Sequence, residues 1–80
     1  MYEATFTPSA FPHGFRKADF YELLTGRSLK IRSQQGLPDV YELLGRNFAG
    51  DYVHVVYRMR ERGHMVVFHM RRMTDRERRR

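Results

Sequence analysis

At Gly26 the hydrophobic period of this chain changes from helical to alternating, and that switch restricts the fold more than any other feature. Before it, residues 16–25 put Phe20, Leu23 and Leu24 on one helical face, flanked by Ala18 and Tyr21, and Gly26 stands where a terminating glycine belongs. After it, apolar and polar residues alternate over 28–34, 40–46, 52–60 and 65–72, the pattern of half-buried strands. Gln35-Gly36-Leu37-Pro38-Asp39, Asn47-Phe48-Ala49-Gly50-Asp51 and a turn at Arg62-Gly63 separate them. One helix followed by strands on short connections predicts an α+β fold: a four-stranded antiparallel meander covered on one face by the helix. At the N-terminus Tyr2, Ala4 and Phe6 alternate with Glu3 and Thr5, which leaves room for a short extra strand. Pro8, Pro12 and Gly14 make residues 7–14 a turn with one helical turn in it, and Thr74-Asp75-Arg76-Glu77 fits a capping box opening a short C-terminal helix. With no repeat and no linker, residues 1–80 read as one domain. Eighty residues bury only about 60 % of the surface the unfolded chain exposes, so the core is modest.

Strand parity predicts what each face carries, because a one-residue slip turns every side chain over. In 52–60 the odd residues Val53, Val55, Tyr57 and Met59 are apolar, and in 65–72 the apolar set is Val66, Phe68 and Met70. A two-residue turn at Arg62-Gly63, or a four-residue loop over 61–64, brings these sets to one face. It sets His54 opposite Arg71 and Val56 opposite His69, with Arg58 diagonal to His69. A five-residue loop over 35–39 pairs Arg32 with Glu42 and turns Leu29, Ile31, Tyr41 and Leu43 to the core. The other face then displays Lys30, Arg32, Glu42, Arg46, His54, Arg58, His69 and Arg71. Such a face is most simply the solvated side of an antiparallel sheet, with Arg32–Glu42 an ordinary cross-strand pair. Its alternative is RNA chemistry. Cleavage through the 2′-hydroxyl needs a base, an acid and cations on the developing phosphorane charge, and imidazoles and guanidiniums supply all three.

Other chemistries are poorly provided for. There is no cysteine, hence no disulfide framework and no thiolate metal site. His13, His54, His64 and His69 lack metal-ligand spacing, the glycines form no phosphate loop, and no cofactor motif is present. Met59, Met65, Met70 and Met73 read as packing residues, and Phe11 and Phe15 as side chains tucked under the helix. No apolar run reaches the roughly 18 residues of a membrane span, so a soluble cytoplasmic protein is expected. Fifteen Lys and Arg against nine Asp and Glu give +6, and only two of the fifteen are lysines. Residues 71–80 hold six arginines against two acids, which is +4 of that excess. A guanidinium fork matches phosphate and carboxylate, so the expected partners are RNA or an acidic protein. The last three residues read as a solvated tail.

The stretch from Gly45-Arg46 through the Ala49-Gly50 turn, two long strands, Arg71 and then Thr74, Glu77, Arg78 and Arg79 resembles the BrnT-like toxins of bacterial type II toxin–antitoxin modules. His13-Gly14-Phe15 ahead of the helix is similar to the family's turn into its second helix. The resemblance implies a RelE/ParE-like fold and a metal-independent ribonuclease that blocks translation until a cognate antitoxin covers it. It departs from the family in having His69-Met70 in place of Ser-Ala, and residues 7–12 without the basic first helix. On this reading His54, Arg58, His69 and Arg71 form the catalytic set and Lys30, Arg32, Arg46 and Arg72 bind the RNA backbone. The alternative from another class is a non-catalytic module that holds RNA or an acidic protein on the same face. An open meander leaves two edges, either of which suits a homodimer.

Overall fold

The structure, a computed structural model, describes residues 3–32 and 36–78. Tyr2, residues 33–35 and the Glu77 side chain lie outside the described residues, and with them parts of the expected first strand, second strand and capping box; Arg79 and Arg80 lie outside as well. The elements are β1 (Glu3–Phe6), α1 (Lys17–Thr25), β2 (Ser28–Arg32), β3 (Val40–Arg46), β4 (Tyr52–Met59), β5 (His64–Arg72) and α2 (Asp75–Arg78). The sheet has five strands in the order β1-β5-β4-β3-β2. Strands β2 to β5 form the expected antiparallel meander, and β1 adds to its far edge parallel to β5, so the sheet is mixed. Among the described residues no helix is long and apolar enough to cross a membrane.

Helix α1 closes one face. Phe20 and Leu23 are fully buried against Leu43, Val53, Val55, Tyr57, Met65, Val67 and Met70, with Ala10 and Phe15 completing the cluster from the N-terminal segment. Burying a side chain such as Phe20 or Leu23 contributes about 1.5–3 kcal/mol. The Asp19 carboxylate accepts the Arg16 backbone N–H at 2.7 Å in the first turn of α1, where negative charge is favoured. Gly26 ends the helix in extended backbone (φ −98°, ψ −163°), not in the left-handed geometry a terminating glycine usually adopts. Beyond it the chain runs tightly over Gly45, where an added Cβ would meet the Ser28 Cβ at 3.0 Å and the Arg27 carbonyl oxygen at 3.1 Å.

The turn between β3 and β4 is tied to α1 by a buried polar junction. Asn47 Nδ2 donates to Asp19 Oδ1 at 2.9 Å, and Asn47 Oδ1 accepts the Asp51 N–H at 2.8 Å. Asp19 and Asn47 are 4 % and 7 % exposed, so neither is satisfied by bulk water.

Two registers differ from the parity expectation. The β4–β5 connection is a three-residue turn over Glu61–Gly63, with Arg62 and Gly63 both left-handed (φ 58° and 76°), and it pairs Met59 with Met65. An irregularity between Val56 and Tyr57, where Phe68 is the extra residue on β5, then restores the register. Hence Met65 and Val67, not Val66 and Phe68, enter the core on the hairpin side, whereas Met70 enters it as expected. The bulge is held from outside the hairpin: Thr7 N–H donates to the Val67 carbonyl at 2.9 Å and Ser9 Oγ to the Phe68 carbonyl at 2.7 Å.

At the other edge β2 is shifted by one residue: Ile31 lies opposite Glu42 and Arg32 opposite Tyr41. Leu29 and Ile31 therefore face away from α1, while Lys30 and Arg32 lie over the Tyr41 ring at 4.9 and 5.9 Å. The apolar pattern of β2 fits either face, because the second face has apolar residues of its own. Val40 and Leu44 are 2 % and 6 % exposed yet lie outside the helix-side cluster. Gly36 and Asp39, between β2 and β3, are left-handed at φ 72° and 62°.

Candidate functional site

The second face of the sheet gathers the histidines. Pairing of β4 with β5 puts His54 opposite Arg71 and Val56 opposite His69, as parity predicted, because the turn and the bulge shift the register in opposite senses. His54 Nε2 and Glu42 Oε1 lie 2.7 Å apart across β3 and β4. A carboxylate only accepts, so the Nε2 hydrogen is donated to it, which fixes the ring's orientation. His54 is 5 % exposed, and its Nδ1 is buried without a hydrogen-bond partner.

From His54 the row runs outward. The His54 and His69 rings stand edge to face with centroids 6.1 Å apart, and His69 and His13 do the same at 5.5 Å. His54 is buried, His69 half-buried and His13 exposed, so the row leads from the sheet interior to solvent. His13 arrives there because the bonds from Thr7 and Ser9 lay the N-terminal segment along β5, and because Gly14 (φ 86°) turns the chain back into α1. His13, Arg71, Arg72 and Thr74 line a cavity of about 440 Å³. An imidazole, two guanidiniums and a hydroxyl around one cavity are chemistry suited to a phosphate. Among the described residues no group of three or more His, Cys, Asp or Glu side chains is arranged to hold a metal ion.

The other residues singled out from sequence are dispersed. Arg58 is exposed and opposite Val66, on the hairpin side of the bulge. Arg72 bonds Asp51 Oδ1 at 3.0 Å beside Arg71. Arg46 lies over the Tyr52 ring at 5.0 Å, at the far end of the same face. Lys30 and Arg32 are on the helix side and do not share a face with His54, His69 and Arg71. The expected register of Arg32 with Glu42 is replaced by Ile31 with Glu42, and Glu42 takes His54 instead. Sequence reasoning left out His13 and Thr74 as site residues. For Thr74 the signal was its place two residues beyond β5; for His13 only the His-Gly turn before α1 pointed there.

Neither a family model, nor a curated protein, nor a solved structure gives a significant match to this chain.

Proposed function

We propose that this chain is the toxin component of a type II toxin–antitoxin module, with a RelE-like fold of the BrnT-like kind, acting in the cytoplasm as a metal-independent endoribonuclease. The observation that carries the reading is the row Glu42–His54–His69–His13 beside Arg71 and Arg72. Arg71 and Arg72 hold the scissile phosphate. One of the two outer imidazoles, His69, takes the 2′-hydroxyl proton as that oxygen attacks phosphorus. The other, His13, gives a proton to the departing 5′-oxygen, leaving a 2′,3′-cyclic phosphate and a 5′-hydroxyl. His54 is too deep to touch substrate and acts by positioning His69, with Glu42 orienting it in turn. Arg46 and Arg58 are placed to attract the RNA backbone. A cognate antitoxin would silence the protein by covering this face.

The test is induced expression in a bacterial host, with growth and intact messenger RNA followed for wild type, His69→Ala and Arg71→Ala. Arrest with loss of message in wild type alone supports the reading; no arrest at matched soluble expression overturns it for that host. One observation favours the second reading, a non-catalytic module for RNA or an acidic protein: the imidazole best oriented by a carboxylate is buried away from any substrate. For that module no single histidine matters, and binding fades stepwise as arginines are removed and as salt rises.

A further inference from the structure

At the far end of the same face Arg27, Leu29, Leu44, Gly45, Arg46, Tyr52, Met73 and Arg78 enclose a second cavity, of about 320 Å³. Its lining combines apolar side chains, from Leu29, Leu44 and Met73, with arginines. The Arg46 and Arg78 guanidiniums lie 5.0 and 4.3 Å from the centre of the Tyr52 ring, and Arg27 is the third arginine in the lining. Among the described residues no carboxylate lines it. Apolar side chains, flat π-surfaces and positive charge around one cavity are what an aromatic ring attached to a phosphate requires. Its volume sits at the low end of the roughly 300–1,000 Å³ range of small-molecule sites, enough for one nucleoside and not for a longer segment.

Its position relates it to the histidine row. Tyr52 and His54 are two residues apart on one face of β4, about 7 Å along the strand. Leu44 is opposite His54, and the Met73 N–H donates to the Tyr52 carbonyl at 3.0 Å, so this cavity begins one pair beyond His54–Arg71. We infer that it is a nucleobase subsite: it takes the base of the nucleotide next to the phosphate held at Arg71, stacking it among Tyr52, Arg46 and Arg78 over Leu44 and Met73. This rests on the RNA reading above and adds to it the part of the substrate that is read. Stacking serves every base, so the subsite selects for a base over no base more than for one base over another.

The experiment uses the full chain and 2′-deoxy dinucleotides, which cannot be cut through a 2′-hydroxyl. Binding of a base-bearing dinucleotide, its abasic counterpart and inorganic phosphate is titrated while the Leu44, Leu29 and Met73 methyl resonances are followed. The base-bearing ligand is expected to shift those methyls and to bind at least about tenfold tighter than the abasic one. Arg78→Ala, an exposed change that leaves the core untouched, should remove most of that advantage but leave phosphate binding at Arg71 intact. Equal affinity of the two dinucleotides, or methyls unmoved while the base-bearing dinucleotide binds, overturns the inference. So does a response of the same methyls to a glutamate-rich peptide and not to nucleotides, which would make the cavity a protein-docking site. Base-dependent binding without RNA cleavage supports the subsite and removes the ribonuclease. Cleavage indifferent to Arg78→Ala, with equal dinucleotide affinities, does the reverse.

Discussion

Replacing Asn47 by alanine removes three hydrogen bonds at once, two short ones and a longer one from Nδ2 to Asp51 Oδ2 at 3.4 Å, and leaves the buried Asp19 without its side-chain donor. The bond lost from Nδ2 to the Asp19 carboxylate is 2.9 Å long, and that from the Asp51 N–H to Oδ1 is 2.8 Å. A hydrogen bond to a charged group contributes about 1.5–3 kcal/mol and a neutral one about 0.5–1.5 kcal/mol, so the two short bonds alone account for a loss of roughly 2–4.5 kcal/mol, and the long one adds little. At about 0.05–0.15 kcal/mol per residue, an 80-residue domain has only some 4–12 kcal/mol in total, so Asn47→Ala costs a large share of it. Urea unfolding should show a lower midpoint with an unchanged slope, and the melting temperature should drop by about 10–30 °C. Asn47→Asp should be worse, since it sets a third carboxylate beside Asp19 and Asp51. The combination of Asp19→Ala with Asn47→Ala should be milder than the sum of the two, because the stranded charge is gone. A loss below about 1 kcal/mol for Asn47→Ala, or strict additivity in the double variant, would refute the assignment of this junction as the tie between α1 and the sheet.

Three further outcomes follow from the geometry. Gly45→Ala should destabilise by about 1–3 kcal/mol in the same unfolding assay, since its Cβ arrives 3.0 Å from Ser28 Cβ and 3.1 Å from the Arg27 carbonyl. Glu42→Ala should cost about 1–3 kcal/mol by leaving both nitrogens of the buried His54 unpaired, whereas Glu42→Gln, which keeps an acceptor, should recover most of it. In a filter-binding titration against salt, Arg71→Ala should weaken RNA binding and lower the salt slope by about 1, while Lys30→Ala, on the helix side, should leave both nearly unchanged. Equal effects of the two would place the binding surface elsewhere.

Much of the fold is legible in the sequence because it is local. The span 40–46 is read to the residue, and 52–59 and α1 to within one, since each is bounded by a turn motif and carries a clear period. What escapes is what distant residues decide. The Phe68 bulge is held by Thr7 and Ser9, which no reading of 65–72 contains, and it turns Val66 and Phe68 away from the core. The one-residue slip of β2 follows from the second face being apolar at Val40 and Leu44, so that alternation in Leu29 and Ile31 no longer says which way is in. The candidate site divides along the same line. His54, His69 and Arg71 are neighbours through one hairpin and can be aligned by counting, whereas His13 joins them from the other side of α1.

The parallel pairing of β1 with β5 has a consequence for how the chain acquires its structure. Thr5 Oγ1 and His64 Nε2 meet at 2.7 Å across 59 positions of sequence, so β1 has no partner until β5 is in place. Closing so wide a loop is slow compared with zipping the β3–β4–β5 meander, which makes β1 a late arrival in folding. The same late step brings Ser9 to the bulge and His13 to His69. The histidine row is therefore completed only when β1 and the segment after it have docked on β5, after the meander has formed.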